Sequence, residues 1–213
     1  KAASGTAKEN TVNVTGGSAA TVVGAQSTGD ATGNKVNVTG GSVGNITGSI
    51  STGGAASGNE IVLGSGVNVT GNVTGGQGAT ATNDNRVTLE GNTTVGGIIS
   101  VGSLAGTDNK LMVKGTNSAG NIAGFQEVNF DLGTASTTNP MLNITGSTTT
   151  SFDWNALTVS NREQTGRIVL LEHNLPAGIS LSTYTGAKSV NDTDDTTEFD
   201  IDTENHTAVD RRI

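Results

Sequence analysis

The chain of 213 residues contains no cysteine, two prolines, two histidines, one tryptophan and one tyrosine. Without cysteine there is no disulfide framework, which argues against a stapled secreted domain. It leaves the cytosol open, and also large exported bacterial proteins that stay unfolded in the periplasm before secretion. No apolar run approaches the roughly 20 residues of a membrane-spanning helix. The opening stretch KAASGTAKEN lacks the hydrophobic core of a signal peptide. Positive charge is scarce as well: a net charge of −8 and a pI near 4.6 argue against a nucleic-acid partner. The acidity is uneven, because residues 1–124 hold six Lys and Arg against six Asp and Glu, whereas residues 125–213 hold five against thirteen.

What is present is a repeat. The phrases NTVNV, NKVNV, NEIVL, NRVTL and NKLMV begin at Asn10, Asn34, Asn59, Asn85 and Asn109, with spacings of 24, 25, 26 and 24 residues. A fixed period in this range marks a repeat architecture. Within each phrase two aliphatics alternate with mostly polar neighbours, which is strand periodicity. The 32 glycines, with Thr, Ser, Asn and Val making up most of the remaining repeat, exclude helix and suit strands and turns. A second element follows in each unit, as GNITG at 44–48, GNVTG at 71–75 and GNIAG at 120–124, with a looser copy at 95–99. A third stretch then returns the chain to the next asparagine. Because the repeat is already running by residue 10, the sequence reads as a piece of a longer chain.

Such a unit cannot cover its own aliphatic row and must bury it against its neighbours. The fold class expected is therefore all-β, a parallel β-helix (β-solenoid) of 24–26 residues per coil. At roughly 4.8 Å per rung, five coils make a rod segment about 24 Å long. Aromatics at 3% agree with a narrow interior that takes Val, Ile, Leu and Ala better than rings. The recurring asparagine is expected at a corner, in αL geometry, hydrogen-bonded to the same residue above and below. Its role is structural. Residues 1–124 form the regular repeats. From residue 125 the phase breaks, and 125–213 is expected as an irregular, C-terminally acidic continuation or a cap that hides the open edge.

The phrases VNVTGGS at 12–18 and 36–42, VNVTGNVTGG at 67–76 and the transition AGFQEVNFDLGT…NPMLNITG at 123–146 resemble passenger domains of bacterial autotransporter adhesins and related haemagglutinin-like surface proteins. The resemblance covers roughly residues 10–160 and rests on low-complexity motifs. It implies a right-handed parallel β-helix, exported across the outer membrane to the cell surface or secreted. Contact with the membrane is expected only through a C-terminal β-barrel that this sequence does not contain. Family members serve mainly in adhesion, aggregation and biofilm formation, and a minority carry protease or esterase domains. Host glycan, a surface or matrix protein, or a like rod on another cell are the partners implied.

Residues that could carry chemistry are sparse, and no cofactor, metal or catalytic residue is expected. Gly40 to Gly44 matches G-x-S-x-G around Ser42, but that elbow needs a strand-to-helix turn and partner residues. Gly76-Gln77-Gly78 has no following helix to receive a phosphate. His173 and His206 each lack a spaced second ligand. The acidic run from Asp192 to Glu204 lacks the spacing of an EF-hand and of a calcium β-roll, and is expected to be a solvated segment with one strand around Phe199 to Ile201. Sequons at Asn13, Asn37, Asn45, Asn68 and Asn72 follow from the same alternation that builds the strands. The expectation is a non-enzymatic adhesin passenger. A carbohydrate-active β-helix enzyme would need carboxylates clustered across adjacent coils, and a trimeric fibre or tailspike-like protein is disfavoured by the 24–26-residue spacing.

Overall fold

The computed structural model describes residues 5–102, 104, 106–148, 150–152, 156–161, 168–173, 179–181, 188–192, 195–202 and 207–212. Parallel sheets stack as a β-solenoid of about six turns, as the repeat predicts. Helical structure among the described residues is limited to the short 3-10 turn Leu132–Thr134 and the 3-10 residue Ala156.

The first face is a seven-rung parallel sheet built from Thr11–Val14, Lys35–Val38, Glu60–Leu63, Arg86–Leu89, Lys110–Lys114, Glu127–Asp131 and Leu157–Ser160. The strands of the first five rungs each start directly after a phrase asparagine. The second face stacks Ser18–Val23, Ser42–Thr47, the broken pair Asn68–Val69 and Val73–Thr74, Thr94–Ser100, Asn117–Ala123, Leu142–Ile144 and Ile168–His173. The third face is thin, with two-residue strands Ala7–Lys8, Ala31–Thr32 and Ala56–Ser57, and beside them Gln26–Ser27 paired with Ile50–Ser51.

The register places like upon like. On the first face Val36, Ile61, Val87, Leu111, Val128 and Leu157 form one inward column, and Val38, Leu63, Leu89, Val113 and Phe130 form the next. All are essentially inaccessible to water, while Val12 and Val14 on the first rung are only half-buried. Burial of such a side chain contributes about 1.5–3 kcal/mol, and the open first rung obtains only part of it. Two rings enter a core that is otherwise aliphatic, Phe130 and Phe125. They lie where the coil changes size. The fifth coil passes from the second face, ending at Ala123, straight to the first-face strand at Glu127, without a third-face strand.

Ile179–Leu181 still pairs in parallel, with Thr150–Phe152, and from Lys188 the pairing changes sense. Lys188–Asp192, Asp195–Asp202 and Thr207–Arg212 form an antiparallel ribbon, and its last strand pairs with Ile168–His173 at the edge of the second face. Part of the acidic run thus lies in strands that extend beyond the one expected around Phe199 to Ile201, with Thr197 to Asp202 paired to Thr207–Arg212. Asp194, Glu204 and His206 lie outside the described residues.

Close stacking leaves some positions no room for a side chain. A Cβ on Gly48 would lie 2.1 Å from the Gly75 carbonyl oxygen and 3.2 Å from Asn59 Cβ, whereas one on Gly16 would meet nothing within 4 Å. Gly48→Ala is expected to lower stability by about 1–3 kcal/mol through overpacking, and Gly16→Ala to leave it nearly unchanged. Chemical denaturation of the two variants side by side checks this.

Candidate functional site

The five phrase asparagines form one continuous column. The side-chain oxygen of Asn34 accepts from the Asn10 backbone N (3.1 Å) and Nδ2 (2.8 Å). Asn59 does the same for Asn34 at 3.0 and 3.1 Å, Asn85 for Asn59 at 3.1 and 2.9 Å, and Asn109 for Asn85 at 2.9 and 3.3 Å. The second proton of each inner amide goes to a backbone carbonyl: Asn34 to Ala7, Asn59 to Ala31 and Asn85 to Ala56. Asn34, Asn59 and Asn85 therefore use both lone pairs of the amide oxygen and both amide protons. That satisfaction permits their exposure of 0–1%, since a buried amide without partners would be costly.

One detail differs from expectation. The left-handed residue is the one before each asparagine: Glu9, Gly33, Gly58, Asp84 and Asp108, with φ between 54° and 64°. Turning at that residue lets the asparagine itself begin the strand and aim its amide along the stack. Glycine is favoured at this position and Asp tolerates it.

Sequence reasoning missed the sixth member of the column. Asn109 donates its backbone N and its Nδ2 to Gln126 Oε1, both at 3.1 Å, and Gln126 Nε2 donates to the Gly124 carbonyl. The signal was available: QEVNF at 126–130 is the same phrase with glutamine in place of asparagine. It comes after 17 residues instead of 24–26, so a search at fixed period passes over it. The longer side chain offers the same amide from the exposed start of the next rung. Asn117 was missed too. Buried at the corner between first and second faces, it accepts from Thr93 N and donates to the Lys114 and Met141 carbonyls.

Outward-facing groups form columns by the same register. On the second face Ser18, Ser42, Asn68, Thr94, Ser118 and Asn143 stack over six rungs without a charge among them. Beside them runs a second asparagine ladder, in which Asn45 Oδ1 accepts from Asn72 N and Asn72 Oδ1 from Ile98 N, each at 2.9 Å. A groove of about 390 Å³ lies against rungs four to six of this column, lined by Asn92, Thr94, Ser118, Asn139, Pro140 and Asn143 among others. The first face carries charges instead: Lys35 pairs with Glu60 at 2.8 Å, Lys110 with Glu127 at 2.7 Å and Lys114 with Glu90 at 3.1 Å. Ser42 of the G-x-S-x-G match opens a strand between Ser18 and Asn68, so the turn that an elbow requires is not formed. Gly76-Gln77-Gly78 is likewise at a coil corner, where Gln77 bridges to Ile50. The sequon residues Asn13 and Asn37 bond to one another at 2.8 Å on the outer side of the first face. Among the described residues no three His, Cys, Asp or Glu side chains gather as a metal site.

Against known proteins, no family model, no curated protein and no solved structure matches this chain. Its functional reading therefore rests on its own geometry.

Asn85→Ala strips partners from the Asn59 backbone N and Nδ2, the Ala56 carbonyl and Asn109 Oδ1. The expected loss is at least about 2 kcal/mol, since each stranded buried group costs about 1–3 kcal/mol. Asn85→Asp keeps the acceptor but sets a buried carboxylate against two acceptors, which raises its pKa above the unfolded value of about 3.9. The stability of that variant is therefore greatest below the unfolded value and is lost as the pH rises through the folded one. Urea titrations of both variants at pH 4 and pH 7 separate the two outcomes.

Proposed function

We propose that this chain is a stretch of a surface-displayed adhesive rod, non-enzymatic, of the kind found in passenger domains of bacterial autotransporter adhesins. The rod would be exported across the outer membrane and held there by a β-barrel outside this sequence. The observation that carries this reading is the uncharged column Ser18, Ser42, Asn68, Thr94, Ser118 and Asn143, in register over six rungs. A hydroxyl or amide recurs at each rung, roughly every 4.8 Å, on a scaffold whose backbone is already hydrogen-bonded and so loses little entropy on binding. A repeating polymer can make many weak polar contacts along such a column at once. Multivalency then supplies a strength that no single contact has. The absence of charge favours neutral glycan, and the groove beside Thr94 and Ser118 gives the column a concave stretch.

The test is to display residues 1–213 on a non-adherent, non-aggregating bacterium through a carrier barrel, and to measure retention on glycan- and matrix-protein-coated surfaces together with settling of the suspension. Cells carrying the rod are expected to be retained or to settle, and Thr94→Val with Ser118→Ala to reduce retention severalfold. Cells that neither adhere nor settle would overturn the reading.

A further inference from the structure

The outer side of the first face is self-complementary. Its first outward row, read from rung two to rung six, is Lys35, Glu60, Arg86, Lys110 and Glu127, each in register with the next. Its second outward row over the same rungs is Asn37, Val62, Thr88, Met112 and Asn129, of which the central Thr88 is already buried by its neighbours. A twofold axis lying along the strand Arg86–Leu89 keeps each row facing itself and reverses the order of the rungs. Lys35 then faces Glu127 of the second copy, and Glu60 faces its Lys110. In the second row Asn37 faces Asn129, and half-buried Val62 faces half-buried Met112.

We infer that this face pairs with the same face of a second copy of the chain, the two rods antiparallel and centred on Arg86. The inference rests on the adhesive-rod reading, and specifically on its self-association arm. Each ion pair within one chain, Lys35 with Glu60 at 2.8 Å and Lys110 with Glu127 at 2.7 Å, meets the opposite pair of the other chain. The result is two four-charge groups of alternating sign. Arg86 is the one charge of this row that meets its own copy, and it is flanked by Glu60 and Lys110 of both chains. The pattern also sets the alignment. Sliding one copy by a single rung in one direction puts Lys35 against Lys110 and keeps only Glu60 against Arg86 as an opposite-charge contact. Sliding it the other way puts Glu60 against Glu127 and Arg86 against Lys110. Like charges placed opposite one another are unfavourable and suppress those alignments.

The paired area is small. Strands of about four residues over five rungs span roughly 13 by 24 Å, well under the ~800 Å² per partner of a stable dimer. Pairing is therefore weak between free chains and becomes effective between cells that each carry many rods. Because the charges are exposed, it weakens as salt shortens the screening length from about 8 Å at 0.15 M to about 3 Å at 1 M.

Charge reversal provides the test. Bacteria displaying Lys35→Glu place two acidic groups opposite each other at both ends of the face, and bacteria displaying Glu127→Lys place two basic ones. Each population alone is expected to settle severalfold more slowly than wild type. Mixed in equal number they are expected to clump again, because Glu at 35 then meets Lys at 127 and the wild-type residues meet at the other end. Restored clumping also shows that both variants are folded and displayed. Variants that settle as fast as wild type, or slow variants whose mixture stays dispersed, would overturn the pairing of this face and leave the adhesive rod standing. Wild-type cells that remain dispersed overturn the pairing as well. Retention of those cells on glycan or matrix protein decides separately whether the rod is adhesive.

Discussion

A buried amide that bonds to its own kind one rung away ties every coil of this protein to the next. The inner asparagines offer no spare donor or acceptor, so a coil displaced by one rung position would leave several polar groups in the core without partners. Aliphatic columns alone would not impose this, since Val upon Ile upon Leu is almost indifferent to small shifts. The energy of the rod comes from the apolar columns, and its register from the amides. With the register set, every outward side chain stacks on a defined neighbour, and the outer faces become ordered arrays.

The three faces divide the work. The first two carry long strands and hold the rung spacing constant, while the third absorbs differences in length. Coils of 24, 25 and 26 residues all return to the same amide position. The coil that starts at Asn109 returns after only 17 residues, because only residues 124–126 separate its second-face strand from the next first-face strand. Glutamine replaces asparagine at the end of that short coil, and Phe125 and Phe130 are buried nearby. The next coil is longer again, with first-face residues Asn129 and Thr158 bonded across a separation of 29.

The outer chemistry then differs from face to face. Over its first six rungs the second face presents a column of hydroxyls and amides without charge, and Glu172 follows Asn143 on the seventh. The first presents one row, Lys35 to Glu127, whose signs along the rod read as their own opposites from the other end once the central Arg86 is set aside. The two faces thus offer two chemically different arrays, each repeating along the stack.

Much of the fold was legible in the residues: the period, the strand phase, the inward aliphatics and the column of Asn10, Asn34, Asn59, Asn85 and Asn109 all follow from spacing and alternation within one coil. These are local properties, because a strand that alternates at period two has only one apolar side to bury. What only the tertiary structure decided is which groups meet between coils. That the left-handed residue precedes the asparagine, that Gln126 continues the column, that Ser18 and Asn143 belong to one array, and that Lys35 and Glu127 lie at opposite ends of one row all depend on how many residues each coil spends on its third face. A sequence fixes the chemistry of a rung, but rung-to-rung neighbours are chosen by coil length, and coil length is settled only when the chain closes its backbone hydrogen bonds on the turn before.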